Sequence, residues 1–381
     1  MKKVYAKKCY SYDIKELKKT FDMIFDEKNK ITNYIKRDSK ILIKMNLLMK
    51  RKPNEVTTTN PAVLEALLLK LEDLNCDVIV ADSPGGIYNE KILKELYEIC
   101  GVKDVVDKFD FVNLNYDIRS FKKEARNSKL VNSIECIYPC KDVDYVISLC
   151  KLKTHAMAVF TGGVKNMFGV IPGLLKAEYH FKMPKIKDFT NLLIDIYETI
   201  SPSLIIMDGI EAMEGEGPSA GNKKDVNLIL VSSCGHSLDV KACEIVNINP
   251  FKVPTIKRAL ERGLLDKNLE EIELIGEKLE NIRILDFKQA EIRSFDFFEN
   301  YIPKFLNEFI SNFLKPKPFI IREKCVKCKE CIKVCPTKTI DYENEKIKIN
   351  LDNCIRCFCC HELCPIKAIG IKKSFLSKFI K

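Results

Sequence analysis

The chain has 381 residues, 46% hydrophobic and 30% charged, enough apolar material for a sizeable core. Its 63 basic and 53 acidic side chains give a net charge of +10, and the excess is local: residues 316–381 hold 15 basic and 7 acidic groups. The near-neutral remainder, the lack of tryptophan and the lack of a recognition motif argue against a nucleic-acid-binding protein.

No apolar run reaches the roughly 18 residues of a membrane-spanning helix. Charge returns at Lys7 and Lys8 before an apolar leader forms, so a secretory signal is not expected. Seventeen cysteines, an odd number, then point to a cytoplasmic protein with reduced thiols, not to a disulfide framework.

In chain order, short β-branched runs alternate with amphipathic stretches. Strands are expected at Ile41–Met45, Val78–Ala81, Tyr145–Leu149, Leu204–Met207 and Leu228–Val231, each a nearly continuous apolar run suited to a strand buried on both faces. Helices are expected at Pro61–Leu74, with Asn60 as N-cap, at Glu90–Cys100 before Gly101, at Asp188–Ile200 and at Leu238–Val246. This alternation predicts an α/β body over residues 1–285, a layered, mostly parallel sheet with helices on both faces. Residues 286–318 read as a helical linker, with an aromatic-rich helix at Phe295–Leu314 and a stiff hinge at Lys315-Pro316-Lys317-Pro318. A small α+β cysteine module follows at 319–371, and then a basic amphipathic tail at 372–381.

The module repeats one spacing: Cys325-x2-Cys328-x2-Cys331-x3-Cys335-Pro336, then Cys354-x2-Cys357-x2-Cys360-x3-Cys364-Pro365. Structural zinc sites use paired knuckles with four ligands in all, whereas each run here packs three cysteines and adds Cys-Pro. The spacing resembles that of the bacterial two-cluster ferredoxins, in which the last cysteine of each run ligates the other cluster. That resemblance implies two 4Fe-4S clusters, one on Cys325, Cys328, Cys331 and Cys364, the other on Cys354, Cys357, Cys360 and Cys335, and one-electron transfer at low potential. A cubane with four thiolates carries a net charge of about −2, so Lys324, Lys327, Lys329 and Lys333 read as counter-charge. Cys359 is a spare ninth cysteine, and His361 a solvated loop residue. Asp341–Asp352 is expected to form a hairpin turning at Asn344-Glu345.

In parallel sheets the ligand crevice lies beyond the carboxyl ends of the strands. If the five strands are parallel, Lys44, Asn46, Asp82, Ser83, Lys153, Thr154, His155, Asp208, Glu211, Ser232, Ser233 and Asp239 converge there. Gly162-Gly163 before a helical turn, with Lys165 and Asn166, reads as a carboxylate or phosphate site. His155 and His180 are the candidate proton carriers, beside Lys153 as a third catalytic candidate. The Gly215-Glu216-Gly217-Pro218 segment lacks the helix of a dinucleotide fingerprint and reads as a flexible loop.

The strings Lys151-Leu152-Lys153-Thr154-His155, Thr161-Gly162-Gly163-Val164-Lys165-Asn166-Met167-Phe168-Gly169-Val170-Ile171-Pro172-Gly173 and Lys176-Ala177-Glu178-Tyr179-His180 resemble the hallmark of the domain of unknown function 362 family. Lys44-Met45-Asn46, Asp82-Ser83-Pro84-Gly85 and Asp208-Gly209-Ile210-Glu211-Ala212-Met213-Glu214-Gly215 are similar to its other blocks, with Met45 standing where the family usually has proline. The likeness spans about residues 40–262 and implies no settled reaction. Two functions are expected from these features. One is an iron–sulfur oxidoreductase that passes electrons between the module and an anionic small molecule in the body. The other is a non-enzymatic electron carrier or accessory factor whose body recognises a partner protein; either needs a redox partner protein.

Overall fold

The computed structural model describes residues 2–125, 128–290 and 316–372. The helix expected at Phe295–Leu314 and all of the tail beyond Lys372 lie outside the described residues.

The body strands are β1 (Lys2–Lys8), β2 (Lys40–Lys44), β3 (Asp77–Ala81), β4 (Val112–Leu114), β5 (Ser120–Glu124), β6 (Ser133–Ile137), β7 (Tyr145–His155), β8 (Val159–Thr161), β9 (Leu204–Glu214), β10 (Asn222–Ser232) and β11 (Ile272–Gly276). Nine form one mixed sheet in the order β11-β1-β10-β9-β7-β2-β3-β4, with β8 paired to β7; β5 and β6 make a separate hairpin. The run β9-β7-β2-β3-β4 is parallel, as is β1-β11, while β10 is antiparallel to both its neighbours.

Alternation along β7 sets the two layers. Val146, Cys150 and Leu152 enter one apolar core, Ile147 and Leu149 the other. A strand wholly buried in this way shows an apolar run with no visible period. On one face pack Pro61–Leu71 and Glu90–Ile99, on the other Ile186–Ile200 and Gly235–Ile245. Asn60 caps its helix by accepting from the Ala62 N–H, and Gly101 follows Glu90–Ile99 at φ +70°, a left-handed position that favours glycine.

Two expectations are corrected. Because β10 is antiparallel to β9, its end at Ser232 lies at the opposite edge from the ends of β2, β3 and β7; the Ser232 hydroxyl donates to the Lys3 carbonyl instead. The Lys-Pro hinge also fails where it is described: Lys317 and Pro318 belong to β12 (Lys317–Ile320), paired with β15 (Ile369–Lys372) as part of the module itself. Proline is tolerated there because an edge strand need not donate at every position.

Between these strands, β13 (Ile340–Glu343) and β14 (Lys346–Ile349) form the expected hairpin, with Asn344 and Glu345 both at positive φ as a tight two-residue turn requires.

Candidate functional site

At the ends of the parallel strands the side chains interlock. Lys44 closes β2, and its Nζ lies 2.9 Å from Asp82 Oδ1 beyond β3; both are buried. The other Asp82 oxygen accepts from the Leu47 N–H at 2.6 Å. Lys153 Nζ, on β7, donates to Asn46 Oδ1 at 2.9 Å and to the Thr57 carbonyl at 2.7 Å. Asn166 joins the strand ends: its amide donates to Ser148 Oγ while its carbonyl accepts from Lys44. Lys176 donates to the Ser83 and Ile171 carbonyls and to Ser83 Oγ, pinning the Asp82-Ser83-Pro84 turn.

These residues wall a cavity with about 790 Å³ of empty space, part of it open to solvent. Lys44, Asn46, Asp82, Ser83, Lys153, Lys165, Asn166, Lys176 and His180 all reach it. Burial pushes Lys153 and Lys176 down to about 7, with neighbouring lysines adding to the shift and Asp82 opposing it. Lys165 differs from the others. It makes no hydrogen bond or ion pair among the described residues, and burial lowers its pKa while Glu362 and Cys359 raise it. His180 stacks on Phe189 with ring centroids 4.1 Å apart; burial, then Lys165, pushes it down to about 3, so it is neutral near pH 7.

The opposite wall is the cysteine module: Val334, Cys359, Glu362 and Leu363 complete the cavity. Ser219 Oγ donates to the Glu362 carbonyl at 2.6 Å, so the loop expected to be flexible is a docking element. Leu363 packs directly on Gly85: a Cβ there would lie 2.4 Å from its methyl carbon, so any larger residue would push the leucine side chain aside.

Other expected site residues fall elsewhere. His155 is buried with Nδ1 accepting from the Met157 and Ala158 N–H groups, so its proton is on Nε2, 3.2 Å from Glu362 Oε1. Burial holds it well below the usual histidine range, as a neutral ring bridging body to module. The Thr154 hydroxyl donates to the Gly215 carbonyl at 2.9 Å. Gly162 and Gly163 do not offer a free anion nest. The Asp239 carboxylate already accepts from the Gly163 and Val164 N–H groups, and a Cβ on Gly162 would lie 2.0 Å from Asp239 Oδ1. Gly162 admits that close approach, while Gly163 packs against Ile205 and Gly235. Asp208 is locked into a buried network with Lys151, Tyr12 and the Asn60 N–H, and Glu211 pairs with Lys223 at the surface.

Lys176, Glu362 and Cys359 are the site residues that strand-end reasoning missed. Lys176 lies on a helix well beyond the end of β7, and the other two lie in a different domain, so strand-end position does not tie them to the crevice.

In the module the two cysteine runs repeat in the backbone as well as in sequence. Lys327, Lys329 and Lys338 have positive φ, and so do their counterparts Arg356, Phe358 and Lys367. Each such turn costs about 1 kcal/mol for a non-glycine residue, so its recurrence marks a shape fixed by what the loops enclose. Cys325, Cys328, Cys331 and Cys364 line one cavity of about 310 Å³, and Cys335, Cys354, Cys357 and Cys360 a second of about 320 Å³. Among the described residues, no three His, Cys, Asp or Glu side chains converge tightly enough for a single metal ion. Four thiols around an open volume suit a polynuclear cluster better than zinc. The Thr339 and Ala368 N–H groups donate to Cys335 Sγ and Cys364 Sγ at 3.4 and 3.1 Å, bonds that stabilise thiolate ligands. Cys359 belongs to neither set, and His361 is buried, not solvated, with Nδ1 2.6 Å from the Ile369 carbonyl.

Comparison with known proteins places this geometry. Residues 317–365 match a 4Fe-4S dicluster domain, which supports an iron–sulfur electron-carrier role. A thylakoid-associated protein of Synechocystis sp. is 28% identical over 265 residues, covering 69% of this chain and 80% of that protein. Among the described residues, no helix is long and apolar enough to cross a membrane. Among solved structures, the lactate racemase apoprotein from Thermoanaerobacterium thermosaccharolyticum aligns with TM-score 0.40 and 15% identity, covering 64% of this chain and 56% of that one. A Thermotoga maritima protein aligns with TM-score 0.35 and 12% identity, covering 61% and 57%. Both are too distant to bear on this chain's chemistry. Residues 41–244, more than half of the chain, match the domain of unknown function DUF362, and the chain belongs to that family.

Proposed function

We propose that the protein is an iron–sulfur oxidoreductase in which two 4Fe-4S clusters exchange electrons with a small anion held between module and body. One observation carries the reading: a single cavity is walled by Lys44, Lys153, Lys165 and Lys176 on one side and by Cys359, Glu362 and Leu363, beside the second cysteine set, on the other. An anion bound there lies next to an electron-transfer centre.

The clusters, held by the two sets of four cysteines named above, would supply one-electron chemistry at a potential set by the protein around them. The remaining work falls to the chain's own side chains. Lys165, with no hydrogen-bond or ion-pair partner among the described residues, is the group best placed to take an incoming carboxylate or phosphate, and Lys153 when protonated has a third N–H to add. Phe168, Leu174 and Leu363 supply apolar walls that exclude water and strengthen those contacts. Neutral His180 can accept a proton at the cavity edge. His155 positions Glu362 and takes no part at the reacting atoms.

The test is anaerobic. Dithionite-reduced protein is mixed with a panel of small carboxylates and organic phosphates, and reoxidation is followed by visible absorbance. The proposal expects one anion class to reoxidise the protein and Lys165→Met to slow that reaction at least tenfold. If no anion accelerates reoxidation or raises the melting temperature, the alternative gains: a carrier whose body recognises only a partner protein.

A further inference from the structure

The two four-cysteine sites differ in what surrounds them. Around the second set the wall is largely apolar, with Pro336, Ile340, Ile349 and Phe358 beside Thr337 and Thr339; it contains no lysine, and Arg356 is the cation that acts on Cys354. Phe358, Cys359 and Cys360 are buried, and Cys359 turns into the body cavity. The first set has Lys327 and Lys329 in its wall, and Cys328 is exposed. Val326, between two of its cysteines, is 66% exposed. Around Val326 stand Arg322, Lys324, Lys327, Lys329 and Lys333, all exposed, against only Glu323 and Glu330, and Glu330 is tied to Lys333 at 2.7 Å. Lys329 extends over the Tyr342 ring, 4.1 Å from its centroid, and the exposed acids Asp341 and Glu343 beside that ring bound the cationic face there.

An apolar centre inside a charged rim is the anatomy of a small, transient protein contact. The sign of the rim selects the partner's sign and speeds the encounter. We infer that this face docks an acidic protein that carries single electrons, which makes the first cysteine set the outer terminal and the second the terminal beside the anion cavity. In each encounter the reduced carrier loses one electron and the outer centre gains one; no bond is made or broken and no proton moves. The second set is served by one nearby cation, Arg356 beside Cys354, whereas five exposed cations are gathered in residues 322–333, and that surplus is what a partner-binding rim adds to counter-charge.

The inference rests on the proposed cluster chemistry but concerns a different surface, and its test separates the two. Reduced flavodoxin, an acidic flavoprotein, serves as probe with the full-length holoprotein under anaerobic conditions. Binding is measured by titration at low and moderate salt, and contacts are mapped by carbodiimide cross-linking. Lys324→Glu/Lys327→Glu, and separately Val326→Glu, are compared with the unaltered protein at matched iron content. The expected result is a Kd at least tenfold weaker in both variants, steep weakening with salt, and cross-links at Lys324, Lys327 or Lys329. Anion binding in the body cavity, read as the rise in melting temperature with the anion, should persist in both variants, because none of the altered residues lines that cavity. Equal Kd values, cross-links that map to the body, or binding of the same face to phosphatidylserine vesicles in place of flavodoxin would overturn the inference. Loss of anion-driven reoxidation in the unaltered protein would instead overturn the proposed reaction and leave the docking result readable.

Discussion

Glu362 of the cysteine module sets its Oε1 3.2 Å from Nε2 of His155 at the end of β7, joining the two domains at the cavity wall. The histidine tautomer is fixed by two backbone N–H groups on the other nitrogen, so the ring presents a proton to the carboxylate without needing a charge. Glu362→Ala removes the carboxyl group that faces His155 across the domain boundary and leaves a gap there, which loosens the seat of the module on the body. The expected outcome is faster amide exchange in the Gly215–Ala220 loop, with little change in the helix Pro61–Leu71. Exchange mass spectrometry reads both segments in one experiment.

Lys165→Met tests the anion anchor. A charge-assisted hydrogen bond is worth about 1.5–3 kcal/mol, so affinity for the anion should fall roughly ten- to a hundredfold. Lys223→Met, which breaks a surface pair with Glu211, should leave affinity unchanged. Calorimetric titration of both variants decides the point, and equal affinities would place the anion elsewhere.

Anion binding should weaken as pH rises through 7. Lys153 and Lys176 both titrate at about 7 because burial disfavours their charged forms. Lys153 also faces Lys151, Lys165, Asp82 and Glu362; Lys176 faces Lys44, Lys165 and Asp82. An anion favours the protonated lysines, so binding takes up protons near neutral pH, and affinity falls by up to about tenfold per pH unit for each lysine that must be charged. Stability without the anion moves the other way. The folded pKa lies below the ordinary lysine value of about 10.4, so the unfolded chain binds more protons above pH 7 and stability rises with pH between about 7 and 10. Titrations in buffers of different ionisation enthalpy, with melting curves at the same pH values, measure both slopes.

Asp239→Ala should destabilise the body, because the buried Gly163 and Val164 N–H groups lose the carboxylate that accepts from them. Unsatisfied buried donors cost about 1–3 kcal/mol each, which lowers the melting temperature by several degrees. Gly162→Ala should do similar damage by clashing with the Asp239 carboxylate. Differential scanning fluorimetry checks both.

Much of this arrangement was legible from residue order. Continuous apolar runs located the central strands, Asn60 and Gly101 marked helix ends, and the doubled cysteine spacing defined the module. β1 was not legible: Lys2, Lys3, Lys7 and Lys8 surround Val4 and Ala6, so its two core residues hide in a charged run. The direction of β10 was not legible either, since an apolar run carries no polarity, and that misplaced Ser232. The anion reading of Gly162-Gly163 failed because glycines that admit a ligand and glycines that admit a carboxylate side chain look alike in sequence. The shared wall of the cavity depends on contact between residues far apart in the chain, which no spacing rule reports.

Cys360→Ala and Cys359→Ala separate ligand from neighbour. Cys360 lines the second cysteine cavity and Cys359 does not. Cys360→Ala should lose about half of the bound iron, and Cys359→Ala none.

Iron and acid-labile sulfide per chain, measured on anaerobically purified protein, test the central assignment most directly. Two cubanes predict about eight of each, with a paramagnetic signal on reduction from two interacting centres. A colourless protein that holds zinc and no sulfide would contradict it.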